Sequence, residues 1–437
     1  MNVSVVLFTS FVFLLIMGVP VAASLTFASF IYLFGFTNIP VMVVAQKFFV
    51  AADSYSLMAI PFFIIAGAIL EKGGVAKRLV DMFNAILGWL PGGLAIAAFI
   101  ASAFFGAISG SSAATVAAIG SIMVPTMIKE GYTERFSLAT VASAGFLGII
   151  IPPSIPMVIY SMALGISVTD VFLGGVIPGI MLACGMALYS IIYGIKHKGE
   201  IKIHKFSLRN LWLTFKDAIW ALLMPVIILG GIYGGIFTPT ESAAVAILYG
   251  LIVSKFIYHE LDFAVLKDIM SGAIKTTCQI MFIVCSATAF AYVLTRENVT
   301  ANMAKALIGA ANSTVMFWLL VTILLLIVGC IMDTVPAIMI LAPLFAACLK
   351  TYGISDVAFG VIMVINLGIG LCTPPVGLNL YVAAGLRKVG IETVVNKHLW
   401  CYLGLAVLLL VIFMAFPQII TFLPSTGHYQ RVRPRGR

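Results

Sequence analysis

The chain has 437 residues, 62% of them hydrophobic and 9% charged, whereas soluble globular chains are about 45–50% apolar and about 25% charged. A mean hydropathy of +1.15 exceeds what one buried core can absorb, since single cores stop growing near about 250–300 residues, so lipid must face much of the surface. The formal charge of +9 falls to about +5 without Arg431, Arg433, Arg435 and Arg437; that suits basic cytoplasmic loops and leaves a soluble enzyme, a secreted scaffold and a nucleic-acid partner unsupported.

At about 20 apolar residues per span, the length allows roughly ten to twelve crossings. The first run, Val3 to Phe36, is too long for a signal peptide; Pro20 interrupts it, predicting one long tilted helix or two tight ones. A short stretch, Val41–Phe49, precedes a span at Leu57–Leu70. In Val75–Leu87, apolar Val75, Leu79, Met82, Phe83 and Ile86 share one helical face and Lys77, Arg78, Asp81 and Asn84 the other, the pattern of an interfacial helix. Leu94–Ile128 is broken by Gly106, Ser109–Ser112 and Pro125, and Phe136–Leu164 by Gly148, Pro152-Pro153-Ser154 and Pro156. After the span Val171–Ile195, six lysines and arginines between Lys196 and Lys216 mark a cytoplasmic connector.

Spans follow at Ala218–Phe237 and Ala243–Phe256, separated by Thr238-Pro239-Thr240-Glu241, which reads as a capping box rather than a catalytic carboxylate. An amphipathic stretch (Phe263–Ile274), a span (Ile280–Leu294) and a short piece (Ala301–Ile308) come next. Val315–Leu349 is broken at Gly329–Pro336 and Phe359–Ala384 at Gly370–Pro375, before a last span, Leu399–Phe422. The chain thus divides into scaffold helices (1–57), a first repeat (58–195), the connector (196–216), further scaffold (217–278), a second repeat (279–398), a last span (399–424) and a basic tail (425–437), native or appended.

The halves correspond. Ser111 and Asp333, Gly131 and Gly353, Gly148 and Gly370, and Pro152-Pro153 and Pro374-Pro375 are each 222 positions apart. Between 129–160 and 351–382 only four of 32 positions are identical, all of them Gly or Pro, so backbone geometry repeats while side chains have diverged. In hydrocarbon each unpaired backbone group costs several kcal/mol, and irregular backbone survives only inside protein or beside a cavity. One proline pair could be a kink. Two in corresponding places, each matched by a polar hairpin tip, predict a secondary transporter with ion and substrate at mid-membrane.

The tips offer oxygen. Ser109, Ser111 and Ser112 bring hydroxyls, and Asp333 and Thr334 a carboxylate and a hydroxyl; this donor set suits Na⁺, whereas a transition metal would want His or Cys. Asp333 stands out because an ionisable group inside the membrane is expensive and usually functional. Arg296 either meets an anionic substrate or snorkels to the interface. The seven cysteines form no CxxC pair, and the five histidines avoid the spans, so the only metal expected is Na⁺, and no organic cofactor.

Gly106-Ala-Ile-Ser-Gly-Ser-Ser112, Ile151-Pro-Pro-Ser154, Phe237-Thr-Pro-Thr-Glu-Ser-Ala243 and Cys372-Thr-Pro-Pro-Val-Gly377 resemble the large membrane subunit of tripartite ATP-independent periplasmic (TRAP) transporters. The resemblance runs from Gly18-Val-Pro20 to Phe416-Pro417-Gln418. It implies an all-α polytopic fold with inverted repeats, two helical hairpins and two broken helices, working as an elevator. It implies one Na⁺ site at Ser109, Ser111, Ser112, Gly148, Ile151, Pro152 and Ser154, and another at Gly329, Asp333, Thr334, Gly370, Thr373 and Pro374, with Ser112, Thr334 and Arg296 toward substrate. The first tip has no acid, so its site leans on backbone carbonyls. The expected partners are a separate four-helix membrane subunit, a periplasmic binding protein, a carboxylate such as sialic acid or a C4-dicarboxylate, and lipid. The expected location is the bacterial inner membrane. Two or more Na⁺ would drive uptake without ATP, in keeping with a sequence that has no P-loop.

Other classes fit less well. A serine hydrolase at Ala107-Ile-Ser-Gly110 lacks a histidine in any span, and an aspartyl protease needs a second intramembrane acid besides Asp333. A channel would conduct without saturating. A stand-alone anion symporter would need no binding protein.

Overall fold

The computed structural model describes residues 3–37, 39–203 and 205–426; the arginines of the tail lie outside the described residues. Among the described residues the regular elements are all helical, and nine helical segments are long and apolar enough to cross a membrane. Large apolar side chains such as Phe34, Phe49 and Val315 point outward, as a lipid-facing surface requires.

The first apolar run forms two helices, α1 (Val3–Ile16) and α2 (Val21–Phe36), packed on each other. Gly18 takes a left-handed conformation at φ 80° and Pro20 sits just before α2, which makes the turn tight. Then come α3 (Met42–Ala52), α4 (Ala59–Lys72) and the amphipathic α5 (Val75–Leu87), which buries Val75, Leu79, Met82 and Phe83 and exposes Lys77 and Asp81. Hairpin 1 pairs α6 (Gly93–Ser109) with α7 (Ser112–Lys129). The first broken helix comprises α8 (Glu134–Gly145), α9 (Leu147–Ile150), an unwound 151–154 and α10 (Ile155–Leu164); α11 (Val168–Lys196) follows.

Ser207 caps α12 (Leu208–Tyr233), so Arg209 and Lys216 ride on this helix instead of the connector. The expected capping box opens α13 (Pro239–Ile252): the Glu241 carboxylate accepts from the Thr238 N–H at 2.8 Å, and Thr238 Oγ1 accepts from the Glu241 N–H at 3.2 Å. The amphipathic stretch and the span after it are one helix, α14 (Phe263–Arg296), because no proline or turn separates them. Next are α15 (Val299–Ala310), hairpin 2 from α16 (Thr314–Ile331) and α17 (Thr334–Leu349), and the second broken helix, α18 (Asp356–Leu371), an unwound 372–377 and α19 (Leu378–Arg387). A short α20 (Ile391–Val394) leads to α21 (Lys397–Ala415). The last span ends there, since Pro417 starts a separate α22 (Gln418–Ser425).

The two repeats interlock. Within each, the first hairpin limb lies on its own broken helix, α6 on α9 and α16 on α18. The second limb crosses over, α7 onto α19 and α17 onto α10. Around this unit, α14 packs on α2, α3 and α4, and α4 on α13.

Candidate functional site

At the first tip, α6 ends on Gly110, left-handed at φ 61°, and Ser111 caps α7. Thr115 Oγ1 donates to the Ser111 carbonyl at 2.7 Å and lies 3.3 Å from Ser109 Oγ. At the first break, Ser154 caps α10, accepting from the Met157 N–H at 3.3 Å and donating to the Ile149 carbonyl at 2.5 Å, so it satisfies groups that the missing helical turn would orphan. Tip and break are joined by backbone: the Ile155 N–H donates to the Gly110 carbonyl at 3.2 Å. The glycines permit this approach. A Cβ on Gly106 would lie 2.4 Å from Gly148 Cα, and one on Gly148 2.9 Å from the Ser111 carbonyl oxygen.

The second half repeats the clasp. The Gly377 N–H donates to the Cys330 carbonyl at 3.1 Å, and Gly377 is 222 positions after Ile155. A Cβ on Gly370 would lie 2.6 Å from Gly329 Cα. Asp333 caps α17, its Oδ1 accepting from the Thr334 N–H at 2.7 Å, and Thr373 Oγ1 donates to the Ile369 carbonyl at 2.7 Å. Gly148 and Gly370 therefore lie in the last helical turns, and unwinding begins at Ile151 and Cys372. Both proline pairs are cis.

Both tips face one cavity of about 220 Å³, lined by Ser111, Ser112, Asp333 and Thr334 together with Thr276 and Gln279 of α14. The N-termini of α7 and α17 thus converge on one space. A vestibule of about 280 Å³ shares Ser111, Ile155 and Thr276 with it and runs to Glu71, Lys72 and Asp268, where Lys72 and Asp268 form an ion pair. Among the described residues no three His, Cys, Asp or Glu side chains cluster, so the oxygen available at both clasps is carbonyl, hydroxyl and the single Asp333 carboxylate.

The structure gathers Ser109, Ser111, Gly148 and Ser154 at one clasp and Gly329, Asp333, Thr334, Gly370 and Thr373 at the other. The Ile151 side chain turns away toward Gly179, leaving only its backbone near the break, and Pro152 and Pro374 carry no polar side-chain atom. Ser112 bonds the Asn379 side chain, donating to Oδ1 at 3.0 Å and accepting from Nδ2 at 2.8 Å. Arg296 is not brought to the cavity: it is the exposed last residue of α14, about 20 Å along the helix from the cavity-lining Ile283, at 1.5 Å rise per residue.

Sequence reading passed over Asn379, Thr276 and Gln279. A signal existed for Asn379, a polar residue opening the half-helix after the second proline pair. Thr276 and Gln279 fall between the amphipathic stretch Phe263–Ile274 and the span Ile280–Leu294 that the sequence predicts.

Hairpins clasped to broken helices in a membrane-spanning, all-helical chain define a transporter architecture. It is shared with two solved structures: the Alcanivorax borkumensis YdaH transporter, at TM-score 0.60 and 16% identity over 89% of each chain, and Neisseria gonorrhoeae MtrF, at 0.58 and 13% over 95% of this chain and 96% of that one. The sequence profile of the family "Tripartite ATP-independent periplasmic transporter, DctM component" matches residues 8–419, and the chain belongs to this family. Relatives include the Rhodobacter capsulatus C4-dicarboxylate TRAP transporter large permease, 37% identical over 97% of this chain and 99% of that one. The Escherichia coli 2,3-diketo-L-gulonate large permease is 36% identical over 92% and 94%. The Oleidesulfovibrio alaskensis isethionate permease DctMQ is 40% identical over 95% of this chain, which spans 66% of that protein's length.

Proposed function

We propose that the chain is the translocation subunit of a sodium-coupled uptake system for a small carboxylate, the C4-dicarboxylates named for its relatives being the leading class. One observation carries this reading: two hairpin tips, each clasped to a broken helix, open onto one cavity. The N-termini of α7 and α17 present unpaired N–H groups and the positive ends of helix dipoles, which favour a carboxylate. The C-terminal carbonyls of α6 and α16, with the hydroxyls and Asp333, make two oxygen cages for Na⁺. Ser109, Ser111 and the 148–154 backbone would hold one ion, and Gly329, Asp333, Thr334 and the 370–374 backbone the other. Among the described residues no Lys, Arg or His lines the central cavity, so bound sodium would supply the compensating charge and make anion binding depend on the cation.

Coupling follows from charge. One net positive charge crossing 100 mV gains about 2.3 kcal/mol. Two Na⁺ with a monoanion gain that increment, whereas a dianion needs a third Na⁺ to do so. The interlocked hairpins and broken helices would travel as one body against α4, α13 and α14 in an elevator cycle between inverted repeats. The vestibule runs to the helix end where Lys72 lies and where Arg78, six residues on, pairs with Asp217 of α12 near the basic connector. By the positive-inside rule this end is cytoplasmic, so the conformation is inward-facing. The partners are a small membrane subunit and a periplasmic binding protein, in a bacterial inner membrane, and the activity is transport without chemistry.

The test is reconstitution with a small subunit and C4-dicarboxylate binding protein, measuring succinate uptake with Na⁺ or K⁺ outside. Saturable uptake requiring both Na⁺ and the binding protein is expected. Uptake undiminished in K⁺ overturns sodium coupling, uptake without the binding protein favours a stand-alone symporter, and unsaturable conductance a channel.

A further inference from the structure

Besides the two tips, one stripe of α14 lines the cavity. Thr276, Gln279, Ile280 and Ile283 line it at the i, i+3, i+4, i+7 spacing of a single helical face. Two of these are isoleucines, and the Thr276 hydroxyl donates to its own helix at the Gly272 carbonyl, 3.2 Å away. Gln279 is different. Its side chain is exposed to the cavity and finds no hydrogen-bond partner among the described residues. An amide in the middle of a membrane-crossing helix is costly unless something satisfies it. The four-membered stripe therefore offers one free donor and acceptor, on the outer layer of helices, facing the space into which α7 and α17 aim their N-termini.

We infer that Gln279 is a specificity-determining substrate contact: it reads the end of the substrate distal to the carboxylate held by the tips. An amide can donate to a second carboxylate, or donate to and accept from a hydroxyl, but offers nothing to a methyl group. The preferred substrates are therefore short carboxylates whose far end carries oxygen. This assignment rests on the carboxylate reading above and adds which residue discriminates among carboxylates. α14 packs with the outer helices α2, α3 and α4 and also on α17 of the second hairpin, but Gln279 is not among the groups that form either clasp. Substitution there moves substrate preference and leaves binding dependent on Na⁺.

The experiment measures equilibrium binding of succinate, 4-hydroxybutyrate and butyrate to the purified full-length permease with its small subunit, in Na⁺. These probes differ only at the far end. In the wild type, 4-hydroxybutyrate should bind more tightly than butyrate by about three- to tenfold, the span of one net hydrogen bond. Gln279→Leu should erase that ratio by weakening 4-hydroxybutyrate relative to butyrate, with binding of both still dependent on Na⁺. Gln279→Glu, nearly isosteric and thus still informative if the leucine variant fails to fold, should weaken succinate about tenfold more than 4-hydroxybutyrate, through like-charge repulsion. Unchanged ratios in both variants, with Na⁺-dependent binding intact, overturn the role of Gln279 and leave the carboxylate reading standing. Failure of the wild type to bind any of the three in Na⁺ overturns that reading and this assignment together.

Discussion

The two clasps are the same device built with different side chains. In each, a glycine on the first hairpin limb touches a glycine before the break, Gly106 on Gly148 and Gly329 on Gly370. In each, an N–H just past the proline pair bonds a carbonyl at the end of that limb. The first clasp is neutral; its Ser109 and Ser112 are buried, and Ser112 is held by Asn379 from the other repeat. The second presents a carboxylate, Asp333, exposed to the cavity. The position equivalent to Asn379 in the first repeat is Met157, whose thioether has no donor to offer Thr334, so this cross-repeat bond has no counterpart. The comparison teaches that the backbone contact is what both halves share, while charge and bracing are divided between them.

The largest effect should come from breaking the shared feature. Gly370→Ala places a Cβ 2.6 Å from the Gly329 backbone, and overpacked backbone cannot yield as a flexible side chain does. Uptake should fall about a hundredfold or more, the upper range of overpacking costs. Near-normal uptake would mean that the clasp is not tight during transport.

The difference in charge is sharpened by Asp333→Asn. Asparagine still caps α17, so the fold should persist while the Na⁺ concentration for half-maximal uptake rises about tenfold, a loss of one charge-assisted contact. Ser109→Ala at the neutral clasp should shift it less, about two- to threefold. Equal shifts would erase the distinction between the sites, and an unmoved Asp333→Asn titration would remove Asp333 from ion binding.

The bracing gives the smallest effect on transport and shows mainly in stability. Asn379→Leu strands the buried Ser112 hydroxyl and removes the 3.2 Å bond to the Ala142 carbonyl. A buried group left unpaired costs about 1–3 kcal/mol, so the melting temperature in detergent should drop by a few degrees, whereas Thr334→Val should lower it less. The reverse order would place the brace at the second tip.

What the linear chain determined was backbone. Apolar runs of crossing length, a capping box at Thr238–Glu241, and glycines and prolines recurring at one offset specify where helices run and where they cannot, because those residue types act through their own φ angles and N–H groups. That is why both hairpins and both breaks were legible, and why the oxygen-rich tips stood out as chemistry. Tertiary structure decided which segments meet. The crossing of α7 onto α19, the Ser112–Asn379 bond across 267 residues, the distance of Arg296 from the cavity and the aim of Gln279 into it all depend on how separate helices pack. No local propensity encodes a contact whose two partners are hundreds of residues apart, so these features come into view only when the helices are assembled.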